Sequence, residues 1–286
     1  MGKTALSIRL AQRLGTEIVS FDARQFYREL SIGTAKPTAA EMAGVRHHFI
    51  DSHSVRHEYS AGRFAADAMR LLQDDLFRRL PVVVAVGGSG LYQQALTDGL
   101  PEIPAPDPAL RPAFLQRLEA EGLPALADEL RHLDPTAWEV IDRHNPQRVL
   151  RALEVTIGTG RPFSSYRAAA PEGGARPWRT VFVGLDRPRP ELYVRCDERV
   201  DEMLRAGLEA EARALYPLRH LNALQTVGYQ EWWPCFEGHY DRAEAIRLLK
   251  RNTRRYVKRQ LTWFRRDARF HWIRPDDEAA ALALVL

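Results

Sequence analysis

Leucines at positions 6, 10 and 14 recur at helical spacing and predict a helix over 4–14, ended by Gly15. The next segment, Glu17-Ile-Val-Ser-Phe21, reads as a buried strand. A second helix is predicted over 61–79. Beyond Pro81 the unbroken run Val82-Val-Val-Ala-Val86 suits a central parallel strand, and Gly87-Gly-Ser-Gly90 closes it before another helix. Alternating helices and strands predict an α/β core built on a parallel sheet. The composition changes at Leu100–Pro108, with prolines at 101, 104, 106 and 108. The following residues read as helical pieces without a strand, out to a Gly- and Pro-rich loop at Pro171–Pro177. Thr180-Val-Phe-Val-Gly-Leu185 then restores a strand, and helices are predicted over 195–215 and 243–264. The organisation expected is a core of residues 1–104 and 178–286 with an all-helical insert at 105–177.

With 286 residues and 45% hydrophobic composition, the chain can fill a packed interior, which excludes a disordered protein. No apolar run approaches the ~18 residues that would mark a membrane span, and no signal-peptide pattern opens the chain. Two distant cysteines, Cys196 and Cys235, give neither a disulfide framework nor metal spacing. A cytoplasmic protein away from membranes is the expectation. The formal charge is only +4, but it is unevenly spread. Residues 242–269 hold eleven Lys and Arg against Glu244 and Asp267, a net +9 in 28 residues, so the helix predicted there has an apolar stripe and a strongly cationic side. Lysine itself occurs only at 3, 36, 250 and 258.

The chemistry gathers at strand–helix junctions. Gly2-Lys3-Thr4 matches the second half of a phosphate-binding loop, in which Lys neutralises phosphate and the hydroxyl reaches Mg²⁺. The first half of that loop and its strand are not in the sequence; this suggests a chain begun late, with the lost strand expected between those at 17–21 and 82–86. Asp22, just past a strand end, stands where open α/β sheets present catalytic groups, although a helix cap reads the same way. Gly87-Gly-Ser89-Gly90 can donate amides and a hydroxyl to an anion, or serve only close strand–helix packing. Arg195 and Arg199 lie one turn apart, as a pair gripping one anion would.

Taken together, these strings resemble one family, the bacterial tRNA dimethylallyltransferases. The match rests on Gly2-Lys3-Thr4, Ser20-Phe-Asp22-Ala23-Arg24-Gln25-Phe-Tyr27, Ile32-Gly-Thr-Ala-Lys36-Pro37, Tyr59-Ser-Ala61 with Phe64, and Gly87-Gly-Ser89-Gly90-Leu-Tyr92. It continues with Asn145-Pro-Gln147-Arg148 followed by Arg151 and Glu154, then Val227-Gly228-Tyr229 and Lys258-Arg259-Gln260-Leu-Thr-Trp263. Ser89 stands where the family usually has Thr and keeps the hydroxyl; Ala23 stands where it usually has Ser.

The resemblance implies a P-loop-type sheet flanked by helices. It also implies transfer of a dimethylallyl group from dimethylallyl diphosphate to N6 of the adenosine 3′ of the anticodon, in tRNAs reading codons that begin with U. Asp22, Ser89 and Arg199 would be catalytic, and Gly2, Lys3, Thr4, Ser89 and Arg199 would bind diphosphate, with Mg²⁺ on Thr4. Contacts to the tRNA anticodon stem-loop would come from Asp22, Ala23, Arg24, Gln25, Arg111, Gln147, Arg148, Arg151, Val227, Gly228, Tyr229, Lys258, Arg259, Trp263 and Arg265. The cationic face, including Arg254 and Arg255, would meet phosphates, and a monomer is expected. From the residues alone, three other readings stay open: a P-loop kinase, an adenylate prenyltransferase using a free nucleotide, and a tRNA-binding protein with an incomplete phosphate loop.

Overall fold

The computed structural model describes residues 2–168 and 176–286; the loop expected at Pro171–Pro177 lies, up to residue 175, outside them. The chain divides into two compact units, Met1–Thr97 with Arg176–Leu286, and Asp98–Ala175.

In the first unit, helix α1 (Lys3–Leu14) buries Leu6 and Leu10, and Gly15 ends it in the left-handed region, where its N–H bonds the Ala11 and Gln12 carbonyls. Gly2 begins it at φ +92, with its α-carbon so close to Pro275 that a Cβ would sit 2.7 Å from that ring. Strand β1 (Ile18–Ser20) is fully buried. It pairs in parallel with the two-residue β2 (His47–His48) on one side and with β3 (Val84–Val86) on the other. Because Ile18 lies opposite Val84 and Ser20 opposite Val86, the strands read at 17–21 and 82–86 are direct neighbours in this chain, with no gap between them.

Helix α2 (Ala61–Leu71) starts on a Ser60 cap and passes through a widened turn at Leu72–Leu76, so the helix expected over 61–79 runs with one bulge. Helix α3 (Gly90–Thr97) follows β3. The aromatic rings of Phe26, Phe49, Tyr59, Phe64 and Tyr92 pack edge to face or tilted, with centroids 5.1–6.5 Å apart, beneath the segment that follows β1.

The second unit is helical where described. Helix α4 (Leu110–Leu133) breaks at Gly122, whose φ/ψ of 81/163 is not helical. It packs with α5 (Pro135–Val140) and α6 (Pro146–Thr159) around Leu126, Leu130, Leu150 and Leu153, all fully buried. Each such leucine contributes about 1.5–3 kcal/mol by leaving water. Buried Asp134 ties the unit by capping α5 at Ala137 and accepting from the Ser164 N–H and hydroxyl.

Back in the first unit, β4 (Phe182–Leu185) pairs in parallel with β5 (Phe270–Ile273) as a separate sheet. The parallel α/β core thus takes the form of two short sheets. The helix expected over 195–215 is two: α7 (Arg189–Arg205) and α8 (Leu208–Leu215), parted by Gly207 at φ +100. Helix α9 (Arg242–Phe264) carries the basic segment and buries Ala245, Leu249 and Val257; Val257 packs on Leu192 and Cys196 of α7. Helix α10 (Glu278–Val285) closes the chain against α1, where Glu278 pairs with Arg9 at 2.8 Å.

Candidate active site

The carboxyl ends of β1 and β3 are joined by a short network. The Asp22 carboxylate accepts the backbone N–H of Arg24 at 3.0 Å and of Gln25 at 3.3 Å, which folds the turn on itself and fixes the carboxylate's place. The Ala23 N–H donates to Ser89 Oγ at 2.9 Å, so the segment after β1 is pinned to the glycine loop after β3. Three glycines in that loop answer to close neighbours. A Cβ would lie 2.3 Å from the Phe21 ring at Gly87, 2.2 Å from the Gln260 amide at Gly88, and 2.2 Å from the Trp263 indole at Gly90. Gln260 also donates to the Gly88 carbonyl at 2.7 Å. The loop is therefore clamped to α9, and Trp263 packs on Gly90 while remaining 37% exposed.

Two cations share the field of Asp22. Burial and the neighbouring Arg199 pull the Lys3 ammonium down to about 8, against the opposing pull of Asp22. Arg199 is likewise lowered by burial while Asp22 favours its charged form, and its guanidinium reaches the Ala35 carbonyl at 3.5 Å. The Gln25 amide donates to the same Ala35 carbonyl and to that of Thr34, both at 3.2 Å. Thr4 is exposed in the first turn of α1. Lys36 is a brace: its ammonium bonds the Tyr27 carbonyl and Asp51 with the side chain only 6% exposed.

Tyr256 is a member of this site that the sequence did not single out. Its ring is 39% exposed, yet its hydroxyl lies against Ser89, Gln260 and the charges of Asp22 and Arg24; burial first and Asp22 second push the phenol up. Residues 256, 260 and 263 are spaced i, i+4, i+7, so helical periodicity would have put Tyr256 on the face of α9 that meets the loop.

Other expected contacts lie elsewhere. In the second unit Arg111 bonds buried Glu154 at 2.8 Å and also Gln147, while Arg148 is exposed and Arg151 half-buried. In the first unit the ring of Tyr229, a residue expected among the tRNA contacts, is fully buried. Its hydroxyl donates to Glu211 at 2.7 Å, and Glu211 also accepts the N–H groups of Ser31, Ile32 and Gly33. Gly228 packs so near Gly33 that a Cβ would be 2.8 Å from its carbonyl, and Val227 is half-buried; the segment braces the loop at 31–36. Lys258 and Arg259 are exposed, and Arg265 pairs with Asp186 at 2.9 Å. Arg254, expected on the phosphate-facing side, is instead bound to Asp197 of α7.

A family model described as IPP transferase matches residues 25–267. The tRNA dimethylallyltransferase of Cytophaga hutchinsonii is 50% identical over 276 residues, 96% of this chain and 90% of its own. A tRNA dimethylallyltransferase of Porphyromonas gingivalis is 48% identical over the whole chain and 94% of its own. Among solved structures, the tRNA isopentenylpyrophosphate transferase of Bacillus halodurans superposes with a TM-score of 0.71 at 36% identity, covering 99% of this chain and 91% of that one. A eukaryotic dimethylallyltransferase acting on tRNA superposes with a TM-score of 0.79 at 26% identity, covering 99% and 74%. With a family match across most of its length and half identity to a relative of which 90% is covered, this chain belongs to the IPP transferase family, alongside the tRNA dimethylallyltransferases.

Proposed function

We propose that the protein transfers a dimethylallyl group from dimethylallyl diphosphate to tRNA, at N6 of the adenosine 3′ of the anticodon in tRNAs that read codons beginning with U, as a cytoplasmic monomer. One observation carries the chemistry: at the carboxyl ends of two parallel strands, the Asp22 carboxylate shares its field with two desolvated cations, Lys3 and Arg199. In the reaction the allylic C–O bond breaks, diphosphate leaves with its electron pair, and the C–N bond forms as N6 loses a proton. Lys3 and Arg199 are suited to the charge that develops on the leaving diphosphate, since low local polarity strengthens their pull. The Ser89 hydroxyl, already accepting from Ala23, keeps its own proton to donate. Asp22 accepts the N6 proton as a general base, its position fixed by the Arg24 and Gln25 amides.

The donor set also fits a Mg²⁺ that draws most of its ligands from substrate phosphate and water, with the Thr4 hydroxyl as its protein ligand. When bound, the ion would add positive charge beside the diphosphate. For the RNA, the base enters the cleft beside Asp22 with Arg24 and Gln25 at its edge, and exposed Lys258, Arg259 and Trp263 lie on α9, the helix that clamps the glycine loop. The insert residues Arg111, Gln147, Arg148 and Arg151 form a second group suited to the anticodon stem-loop.

The test is transfer from labelled dimethylallyl diphosphate to tRNA or to AMP, with nucleosides resolved by mass spectrometry after digestion. Dimethylallyladenosine in the tRNA fraction is expected; label on AMP, or on neither acceptor, would overturn the reading.

A further inference from the structure

A cavity of about 590 Å³ lies between the start of α7, the C-terminal half of α9 and the end of β5, and none of Lys3, Asp22, Ser89 or Arg199 lines it. Five cations do: Arg187, Arg189, Lys258, Arg265 and Arg274, against the single lining carboxylate of Asp186. Some of that charge is answered locally. Arg265 pairs with Asp186 at 2.9 Å, Arg187 with Glu191 at 3.3 Å, and Arg274 with Asp276 at 3.4 Å. Arg189 and Lys258 have no ion pair among the described residues.

Two further features mark the cavity as built for an anion. The Arg187 side chain is only 15% exposed and its Nε is buried without an acceptor, a costly arrangement unless something supplies one. The first turn of α7 opens on Pro188 with no side-chain cap, and Pro188 and Arg189 both line the space, so a helix end adds its positive field.

Size and surroundings argue for the phosphate of a nucleic-acid strand. The volume exceeds that of an inorganic phosphate, Trp272 and Tyr193 are among the lining residues, and Lys258, which also lines the cavity, is one of the exposed cations of α9. We propose that this cavity is a backbone-phosphate subsite for the tRNA, set apart from the reacting centre, with Arg187, Arg189 and Arg274 as phosphate ligands. This rests on tRNA being the substrate.

The experiment uses the full chain carrying Arg189→Gln with Arg274→Gln, both exposed positions, and compares its tRNA affinity with wild type across a salt series. The expected result is weaker binding at low salt and a log–log salt slope flatter by up to about 0.7–0.9 for each phosphate no longer neutralised. The Lys replacements at both positions should restore the slope, and single-turnover transfer at saturating tRNA should stay within about twofold. An unchanged slope in the Gln variant overturns the proposal. So does a variant that loses stabilisation by inorganic phosphate in a melting assay while keeping the wild-type tRNA slope, since the cavity would then hold a free anion. Dimethylallyl transfer to tRNA with an unchanged slope would sink this subsite and leave the proposed function standing. Failure of transfer with a flattened slope would do the reverse.

Discussion

Two sets of cations in this molecule differ in how they meet water. Lys3 and Arg199 both stand in the field of Asp22, and burial lowers the proton affinity of each while Asp22 opposes the shift. On α9 and in the two residues that follow it, the charges are nearer the surface and divide again. Arg242, Arg247, Lys250 and Arg254 are held by Glu209, Glu244, Asp201 and Asp197, whereas Arg255, Lys258, Arg259 and Arg266 are exposed and unpaired by carboxylates among the described residues. The difference teaches a division of labour. A buried charge acts over a short range and resists salt, which suits a leaving group; an exposed charge acts through screened solvent, which suits a polyanion.

Removing the half-buried partners around Asp22 should have the largest effect. Asp22→Asn keeps the oxygen that accepts the Arg24 and Gln25 amides but cannot take the N6 proton, so the single-turnover rate should fall ~10²–10⁴-fold. Affinity for tRNA should stay within a few-fold and its salt slope should not move. A rate above a tenth of wild type would remove Asp22 from the chemistry. Arg199→Gln should lower the rate while leaving the same slope untouched; a flattened slope there would break the comparison, by making this half-buried cation an RNA contact.

Next in size is the pH response of Lys3. Its pKa of about 8 is that of the free enzyme, and of its two forms only the ammonium can pair with diphosphate, so kcat/KM should fall by up to about tenfold per pH unit above 8. For stability the sign reverses. Folding lowers this pKa below the unfolded value, so the unfolded chain binds the proton more tightly between the two pKa values. The Lys3 contribution therefore opposes folding below 8 and is relieved as pH rises toward the ordinary lysine range. Lys3→Arg should abolish the kinetic break near 8. A break that persists in this variant assigns the titration to another group.

Much of the buried site was legible in the sequence, and the surface set only in outline. Glycines at 87, 88 and 90 marked a close approach, and Asp22 stood at a strand end, because strand ends and backbone crowding leave local signatures. The adjacency of β1 and β3 left none, since the order of strands is set by crossovers many residues long. Strand β2 was missed because two histidines carry no apolar pattern, and β5 because Phe270-His-Trp-Ile is only four residues long. Tyr229 sat in a motif read as RNA contact, and only its partner Glu211, eighteen residues away, shows that it is a brace. For α9, net charge was visible but its neutralisation was not: the carboxylates that answer its first half come largely from α7 and α8.

The exposed set predicts a smaller, salt-dependent effect. Replacing Arg255, Lys258, Arg259 and Arg266 together by Gln should weaken tRNA binding and flatten the salt slope by about 0.7–0.9 for each phosphate left without its cation. Transfer at saturating tRNA should change little, because these groups bind before the chemistry and equally during it.

The smallest effect should come from a single residue beside that set, and it is the sharpest test. Arg254 and Arg255 are adjacent in sequence and identical in charge, but Arg254 bonds Asp197 with both side chains about a third exposed, while Arg255 is exposed and unpaired among the described residues. A pair so placed contributes about 0.2–1 kcal/mol to folding. A phosphate approaching Arg254 would have to compete with Asp197 for the guanidinium, so few counterions are released there. Arg254→Gln should therefore leave the tRNA salt slope at its wild-type value and lower the melting temperature slightly. Arg255→Gln should do the opposite, with a flatter slope and an unchanged melting temperature. If the two variants flatten the slope equally, the Asp197 pair opens on binding, and it is the total charge of α9 rather than its free half that meets the RNA.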